Sequence, residues 1–386
     1  MVISYGRHDI HTSDINAVVD VLKSDFLTQG PMVPKFEEAI KSYCGARNAV
    51  ASNSATSALH MSLLALGVGP NDWVWTSPNT FVATSNAALY CGANVDFVDI
   101  DEQTYNMCAS ELRRKLERAA KEKCLPKVVI PVHFAGQPCD MRSIHSLSKE
   151  FGFYVIEDAS HALGGRYLNN SIGNCKYSDI TVFSFHPVKI ITTAEGGIAL
   201  TNNDDLAEKL RLFGSHGVTR NPNLLVSSTH GPWYYQQIEL GYNYRMNDLQ
   251  AALGSRQLAR LDDYVKRRHK IADKYNKELE KLPARLPYQT DDGYSAYHLY
   301  TILGPQSPEF SRKTLVEKLH SKGIMVTVHY IPVHTQPYYL SRGFKVGQFP
   351  KAEAYYEKAI TLPIYPTLSN TDQDYIIETL KDLISK

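Results

Sequence analysis

Short apolar runs and longer amphipathic stretches take turns along roughly the first 250 residues of the chain. Seven runs read as strands: Ala49–Ser52, Trp73–Thr76, Val95–Ile100, Lys127–Val132, Tyr154–Glu157, Ile180–Phe185 and Ile198–Thr201. Between them, Ser57–Leu66, Ser110–Lys121 and Arg142–Phe151 carry apolar residues at helical spacing. Strand-length runs alternating with helical ones predict an α/β domain with a mainly parallel central sheet. In such sheets ligand chemistry collects beyond the carboxyl ends of the strands, so the residues just after each run are the first candidates for a site.

From Asn247 to Leu282 the period is helical, with Leu249, Leu253, Leu261, Val265, Tyr275 and Leu279 on the apolar side. Asn247 is placed to cap it, so the pattern predicts a single long helix. After Pro283 comes strand-like Ala296–Leu303, then helix Lys313–Lys322, strand Ile324–Tyr330 and a terminal helix from Asp372. The organisation expected is a large α/β domain over residues 1–250, followed over 251–386 by a connecting helix and a smaller α+β domain. The run Arg113–Lys123 reads as a solvated helix face. One stretch, Thr219–Gln237, has no period and ends Trp233-Tyr234-Tyr235. A loop this long is functional or disordered, and its aromatics favour an ordered loop against a ligand or a partner subunit.

Composition narrows the classes. A chain of 386 residues, 43% hydrophobic and 21% charged, buries a large core. A net charge of +1 gives no general attraction for nucleic acid or an anionic membrane, and neither is expected as a partner. The six cysteines form no C-x-x-C pair, which argues against a zinc ribbon or a dithiol site. No apolar run approaches the roughly 18 residues of a membrane helix. The N-terminal Met1–Arg7 lacks a signal-peptide plan, so a cytoplasmic protein is expected.

Three stretches carry chemistry. In the first, Val155–His161, an apolar strand ends in Asp158; the same aspartate also reads as a cap for the next helix. A carboxylate buried there favours the cationic form of a neighbouring heterocyclic nitrogen. In the second, Ser184–Gly197, a strand runs into a turn holding Lys189, and Glu195-Gly196-Gly197 feeds the next strand. A lysine in a loop is commonly a surface residue, but this one lies in an apolar, hydroxyl-rich stretch about thirty residues after Asp158. Poorly solvated lysines have depressed pKa values and form Schiff bases readily. In the third, Asn53–His60, small hydroxyl residues open a helix, which suits either a phosphate cradle or an ordinary Ser/Thr cap. Together they call for an aldehyde cofactor with a phosphate and a ring nitrogen, and pyridoxal 5'-phosphate (PLP) meets each requirement.

The stretches NSATSALH (53–60), GVGPND (67–72), TFVATSNAAL (80–89), EDASHALGG (157–165), SFHPVK (184–189), EGG (195–197), SHG (215–217) and GYNYRMNDLQAALG (241–254) form an ordered series. Through them the chain resembles, over nearly its whole length, the DegT-type nucleotide-sugar aminotransferases of fold type I. That resemblance implies a PLP aminotransferase fold: a large domain with a seven-stranded mainly parallel sheet and a smaller C-terminal α+β domain. SFHPVK, residues 230–250 and residues 328–339 are most similar to the branch that makes a precursor of pseudaminic acid. Members of that branch aminate C4 of a UDP-linked 4-keto-6-deoxy-N-acetyl-hexosamine, with L-glutamate as the implied donor. The family also contains enzymes for other keto sugars, aminating C3 or using dTDP- or GDP-linked substrates, and a PLP-binding regulatory homologue is the remaining alternative.

Carried over position by position, the resemblance gives Lys189 the Schiff base to PLP and Asp158 the pyridine nitrogen. Phe81 would stack on the ring and His161 would lie near its hydroxyl. Thr56, Ser57 and Ser184 would bind the phosphate, with Asn243 reaching it from the neighbouring subunit, so a homodimer with shared active sites is implied. Tyr5, the turn Asp25-Phe26-Leu27-Thr28, and Val328-His329-Tyr330-Ile331 would line the sugar-nucleotide site. No metal is implied, since His329 and His334 have no third ligand nearby in the chain. Relatives that dehydrate sugars with the pyridoxamine form (PMP) carry histidine at the lysine position. Lys189 therefore points to transamination, with PMP arising during turnover. Two departures stand beside the site: Ile190-Ile191 follow the lysine where a proline and an isoleucine are common, and Ala194 stands where many members have glycine.

Overall fold

The computed structural model describes residues 2–305 and 311–384. All seven expected strands form one sheet: β1 (Asn48–Ser52), β2 (Trp73–Thr76), β3 (Asn94–Phe97), β4 (Val128–Ile130), β5 (Tyr154–Asp158), β6 (Ile180–Ser184) and β7 (Gly197–Thr201). Their order is β1-β7-β6-β5-β4-β2-β3. Every pairing is parallel except the two made by β7, which runs against both β6 and β1. The strands are nearly continuous apolar runs because helices cover both faces of the sheet. Two runs are shorter than their composition suggests. Val98–Ile100 and Pro131–Val132 lie beyond the regular ladders, although Val98 N still bonds Thr76 O at 2.8 Å and Val132 bridges Asp158 in parallel.

The helices in chain order begin with α1 (Thr12–Leu22), α2 (Met32–Cys44), α3 (Ala55–Ala65), α4 (Ala83–Tyr90), α5 (Ala109–Glu122), α6 (Met141–Phe151) and α7 (Asp204–Gly214). α3 starts two residues before the apolar pattern does, because Ser54 caps it by accepting from the Ser57 N–H at 3.1 Å. It is apolar nearly all round and buried against β1, β6 and β7. On α5 the solvated face has one exception: Lys115 lies over the Trp75 ring and pairs with Asp96 at 2.5 Å, its side chain only 13% exposed.

The expected single helix from Asn247 is two. α8 (Asp248–Leu258) is closed at its start by a reciprocal Asn247–Gln250 capping box, and α9 (Leu261–Leu279) follows after a break at Ala259–Arg260. The two helices share one core next to the break, where Leu261, Tyr264 and Val265 of α9 join Ala251 of α8, and part beyond it. α8 turns Ala251, Ala252 and Gly254 toward α1 and α2, leaving Leu249 and Leu253 half-buried. α9 sends Ile271, Tyr275 and Leu279 into a separate C-terminal cluster. At the break, Arg260 donates to the fully buried Asp14 at 2.6 Å and Gln257 does so at 3.0 Å, which fixes the bend.

The C-terminal cluster packs around an antiparallel pair, β8 (Tyr300–Leu303) with β9 (Ala359–Leu362). It is flanked by α10 (Arg312–Ser321), α12 (Pro350–Lys358) and α13 (Asn370–Ile384), while α11 (Pro337–Ser341) sends Tyr339 into the cluster of Phe97 and α4. β9 carries no strand signal beyond four mixed residues, and it exists because β8 needs a partner. The expected strand from Ile324 is regular only over Ile324–Met325, where it pairs in parallel with Ile3–Ser4 from the N-terminus. Beyond it the chain threads irregularly toward the sheet edge, which brings residues 328–331 to the site. The Thr219–Gln237 stretch is a projecting arm closed by the short pair Val218–Thr219 and Gln236–Gln237. Its Val226 and Trp233 are 85% and 71% exposed. No helix among the described residues is long and apolar enough to cross a membrane.

Candidate active site

β1, β5 and β6 end at the same edge of the sheet, and antiparallel β7 begins there. Gly197 pairs with both Ser52 and Ser184, the last residues of β1 and β6. This register sets the start of α3, the loop after β6 and Asp158 at the tip of β5 around one point, as expected for an α/β sheet.

The start of α3 makes the cradle. Ser57 donates its hydroxyl to Asn53 Oδ1 at 2.6 Å, and Thr56 is half-buried beside it. The first N–H groups of a helix have no partner within it and carry the positive end of its dipole, so this turn suits an anion. The approach of β7 is tight. A Cβ on Gly197 would overlap Ala55 N and the carbonyl of Ser54, so only glycine lets the strand lie under the cradle. Ser184 is half-buried on the far side of that approach.

Asp158 is 4% exposed, and its hydrogen-bond partners are all uncharged. Oδ2 accepts from Thr84 Oγ1 at 2.7 Å, and Thr84 is itself within 2.8 Å of Thr80 Oγ1. Oδ1 accepts from Ser160 Oγ at 2.6 Å and from Ser160 N at 3.2 Å. These three donors orient the buried carboxylate. Among the described residues it makes no ion pair, and a protonated ring nitrogen would supply that partner.

Lys189 sits in a turn closed by its own N–H to His186 O at 2.9 Å. The loop then doubles back, Thr193 N bonding Phe185 O at 3.0 Å and Phe185 N bonding Gly196 O at 2.9 Å. Ile190 and Ile191 are 4% and 1% exposed and belong to the core beside the lysine turn. Ala194 has φ +67, the left-handed region that favours glycine, which is the physical reason glycine is common there. Burial pulls the Lys189 pKa down to about 8, against the opposing pull of Asp158.

Two imidazoles beside the lysine, His161 and His329, are kept neutral. Burial, then the Lys189 charge, holds His161 well below the usual histidine range and His329 at about 3. His161 Nδ1 accepts from the Ala135 N–H at 3.3 Å, which leaves Nε2 to meet Tyr330 Oη at 3.1 Å. Both ring nitrogens therefore already have protein partners, and Tyr330 stands in front of the histidine. His329 meets Thr361 Oγ1 at 2.9 Å, and Tyr5 packs on it with ring centres 5.4 Å apart. Phe81, 59% exposed, lies 6.3 Å from the Tyr330 ring at the entrance to α4.

Asp25–Thr28 is an exposed turn tied to the start of α8: Asp248 N bonds Leu27 O at 3.0 Å and the Asp248 carboxylate takes the Gly30 and Met32 N–H groups. Ile331 is 45% exposed, and Val328 is half-buried against the cluster of Tyr105, Phe134 and Tyr355. Asn243 is exposed next to its own chain's Asn53, rather than in the Lys189 group. His334 turns away to Glu353 at 2.9 Å, and no three His, Cys, Asp or Glu side chains among the described residues converge as a metal site needs. Thr84, Ser160 and His298, whose ring lies 4.4 Å from His161, do not stand out in the sequence. Thr84 was within reach, three residues after Phe81 at a helix start; for His298 no local signal exists.

A family model described as the DegT/DnrJ/EryC1/StrS aminotransferase family matches residues 8–381. The chain is 40% identical over 386 residues to the spore coat polysaccharide biosynthesis protein SpsC of Bacillus subtilis, covering 99% of this chain and 97% of that protein. It is 38% identical over 389 residues to a UDP-4-amino-4,6-dideoxy-N-acetyl-beta-L-altrosamine transaminase of Campylobacter jejuni, covering 100% and 98%. Among solved structures it superposes on Helicobacter pylori PseC, an aminotransferase involved in the biosynthesis of pseudoaminic acid, with a TM-score of 0.90. That pair is 30% identical and each chain is covered completely, at 100%.

Proposed function

Since the chain belongs to the DegT/DnrJ/EryC1/StrS aminotransferase family and is a PLP-dependent sugar aminotransferase, we propose that it moves the amino group of L-glutamate to C4 of a UDP-linked 4-keto-6-deoxy-N-acetyl-hexosamine. The observation that carries the amination is Lys189, held with a pKa of about 8 beside a hydrogen-bonded, buried Asp158. The choice of sugar rests on the likeness to the Campylobacter and Helicobacter proteins.

PLP, when bound, takes up the amino group and draws electrons from the reacting carbon through its ring. Asp158 would hold the ring nitrogen protonated. Ser57, Thr56 and Ser184 would bind the phosphate, and Phe81 would cover the ring face. Lys189 would bind the aldehyde and, once displaced by the amino donor, carry a proton to and from the reacting carbon. His161 and Tyr330 act as a pair, the neutral imidazole fixing the phenol at 3.1 Å. Tyr5 and His329 would present the sugar. Asn243 would complete the phosphate site of a second copy, which makes the working unit a homodimer.

The direct test is incubation with UDP-4-keto-6-deoxy-N-acetyl-hexosamines and glutamate, with the product solved by NMR. A 4-amino sugar is expected. Formation only of a 3-amino product, or use only of dTDP-linked sugars, overturns the sugar assignment. The Bacillus relative, at least as similar and named for spore coat polysaccharide, is the reason to include those substrates.

Gly197→Ala drives a Cβ into the backbone of the cradle, so PLP affinity should fall roughly 10- to 100-fold, read by absorbance titration of the apo-protein. Unchanged affinity in a folded variant would remove the cradle from the phosphate site. The lysine makes its own prediction about pH. Its pKa is lowered from 10.5 to about 8, so the reactive neutral amine gains population as pH rises toward 8 and is in the majority above it. Capture of PLP by the apo-protein should therefore accelerate up to about pH 8 and then level off. A rate still climbing steeply at pH 10 would show an unperturbed lysine.

A further inference from the structure

The helix that opens with the cradle also holds a second, buried group. His60 stands one turn beyond Thr56 on α3 and is 3% exposed. Its Nδ1 lies 3.2 Å from Tyr244 Oη, while its ring meets Tyr242 edge-on at 4.8 Å and Tyr90 at 5.7 Å. Burial lowers its pKa below the usual histidine range, and its Nε2 has no partner among the described residues. Tyr242 and Tyr244 stack on each other at 4.9 Å with their planes 11° apart. Residue 243 between them is extended, bridged to Ser215. Alternate side chains of an extended segment point to opposite sides. Two tyrosines drawn to His60 therefore turn Asn243 outward, and Asn243 is indeed exposed.

The backbone of the same segment is fastened to the cradle as well. Asn53 N–H donates to Tyr244 O at 2.7 Å, Asn53 Nδ2 reaches Asn243 O at 3.4 Å, and Asn53 Oδ1 accepts from Ser57. Segment 242–244 and the start of α3 thus form one rigid piece.

We propose that His60 is a positioning residue: through Tyr242 and Tyr244 it aims Asn243, so that α3 organises the phosphate site of its own subunit and the contribution made to the neighbouring one. The second half rests on Asn243 completing the phosphate site of a second copy. The chemistry assigned to Lys189 and Asp158 makes no other use of this buried imidazole.

The test is a double-mutant cycle on the PLP dissociation constant of the full-length protein. Tyr244→Phe deletes the hydroxyl and keeps the stack, and His60→Phe keeps the ring and deletes the nitrogen. Each should weaken PLP binding about fivefold, the loss of one hydrogen bond. In an Asn243→Ala background the same changes should cost less than about twofold, because the residue they act through is gone. Effects that multiply in full in that background, or no loss in either single variant, overturn the proposal. A purely structural role would lower stability without this dependence on Asn243. The shared-site reading is tested separately by mixing Lys189→Ala with Asn243→Ala subunits. Heterodimers then hold one intact site, and about a quarter of wild-type activity should return in a random mixture of two-fold dimers. No recovery sinks the sharing and leaves His60 to the cycle; recovery with multiplying effects sinks His60 alone.

Discussion

Lys189→Ala is expected to lower kcat by roughly 10⁴-fold or more, with PLP still bound through its phosphate and ring. The size follows from two losses at one position. The amine that holds the aldehyde is gone, and so is the group that carries the proton once the donor has arrived. General acid–base transfer alone is worth about 10²–10⁴-fold. No neighbour substitutes for it. His161 is held neutral with both nitrogens engaged, and His329 is paired with Thr361. The variant should bind PLP without the absorbance of a covalent lysine linkage, and borohydride should not fix the cofactor to the chain. Turnover near the wild-type rate in the purified variant would remove Lys189 from the chemistry, and with it the assignment of the loop 185–196.

Asp158→Asn is the second large effect, roughly 10²–10³-fold in kcat, the range seen when one aimed electrostatic group is removed from a site. Asparagine is isosteric, so the strand end and the turn should keep their shape. What changes is charge and donor count. The wild-type carboxylate accepts from Thr84 and Ser160; an amide nitrogen on the Oδ1 side would face the Ser160 N–H, which cannot accept, and one on the Oδ2 side would turn the Thr84 hydroxyl from donor to acceptor. The ring nitrogen loses the charge that keeps it protonated, so PLP affinity should fall along with the rate. Steady-state kinetics and an absorbance titration separate the two. If kcat stays within about twofold, the ring nitrogen does not depend on Asp158, and its burial has another cause.

Both residues are legible without the fold. Asp158 ends an apolar run and Lys189 follows the next one, an arrangement that strand period and loop composition expose directly. The cradle is legible for the same reason, since a helix start announces itself through Ser54 and its neighbours. The helix from Asn247 reads as one piece because both halves share the same period. The period reports that a face is buried, not against which core. α8 and the start of α9 share one core while the rest of α9 enters another, and Asp14, some 240 positions away, fixes the bend through Arg260 and Gln257. Lys115 misleads for a related reason: a charged run looks solvated until a tryptophan from β2 slides beneath it.

The site divides along the same line. The residues proposed to do chemistry are visible in the chain, but those that hold them come from distant segments. Thr84 reaches Asp158 from 74 positions away, and His60 reaches Tyr244 across 184. The turn Asp25–Thr28 is exposed and is held in place by Asp248 at the start of α8, more than two hundred positions away. Seven strands and the positions of Lys189, Asp158 and the hydroxyl-rich start of α3 can be read locally, because each rests on period, capping and side-chain chemistry. Their surroundings belong to the folded chain alone. Strand order, the reversal of β7 and the return of residues 328–331 from the C-terminal part place donors beside acceptors, and none of these leaves a mark on neighbouring positions of the sequence.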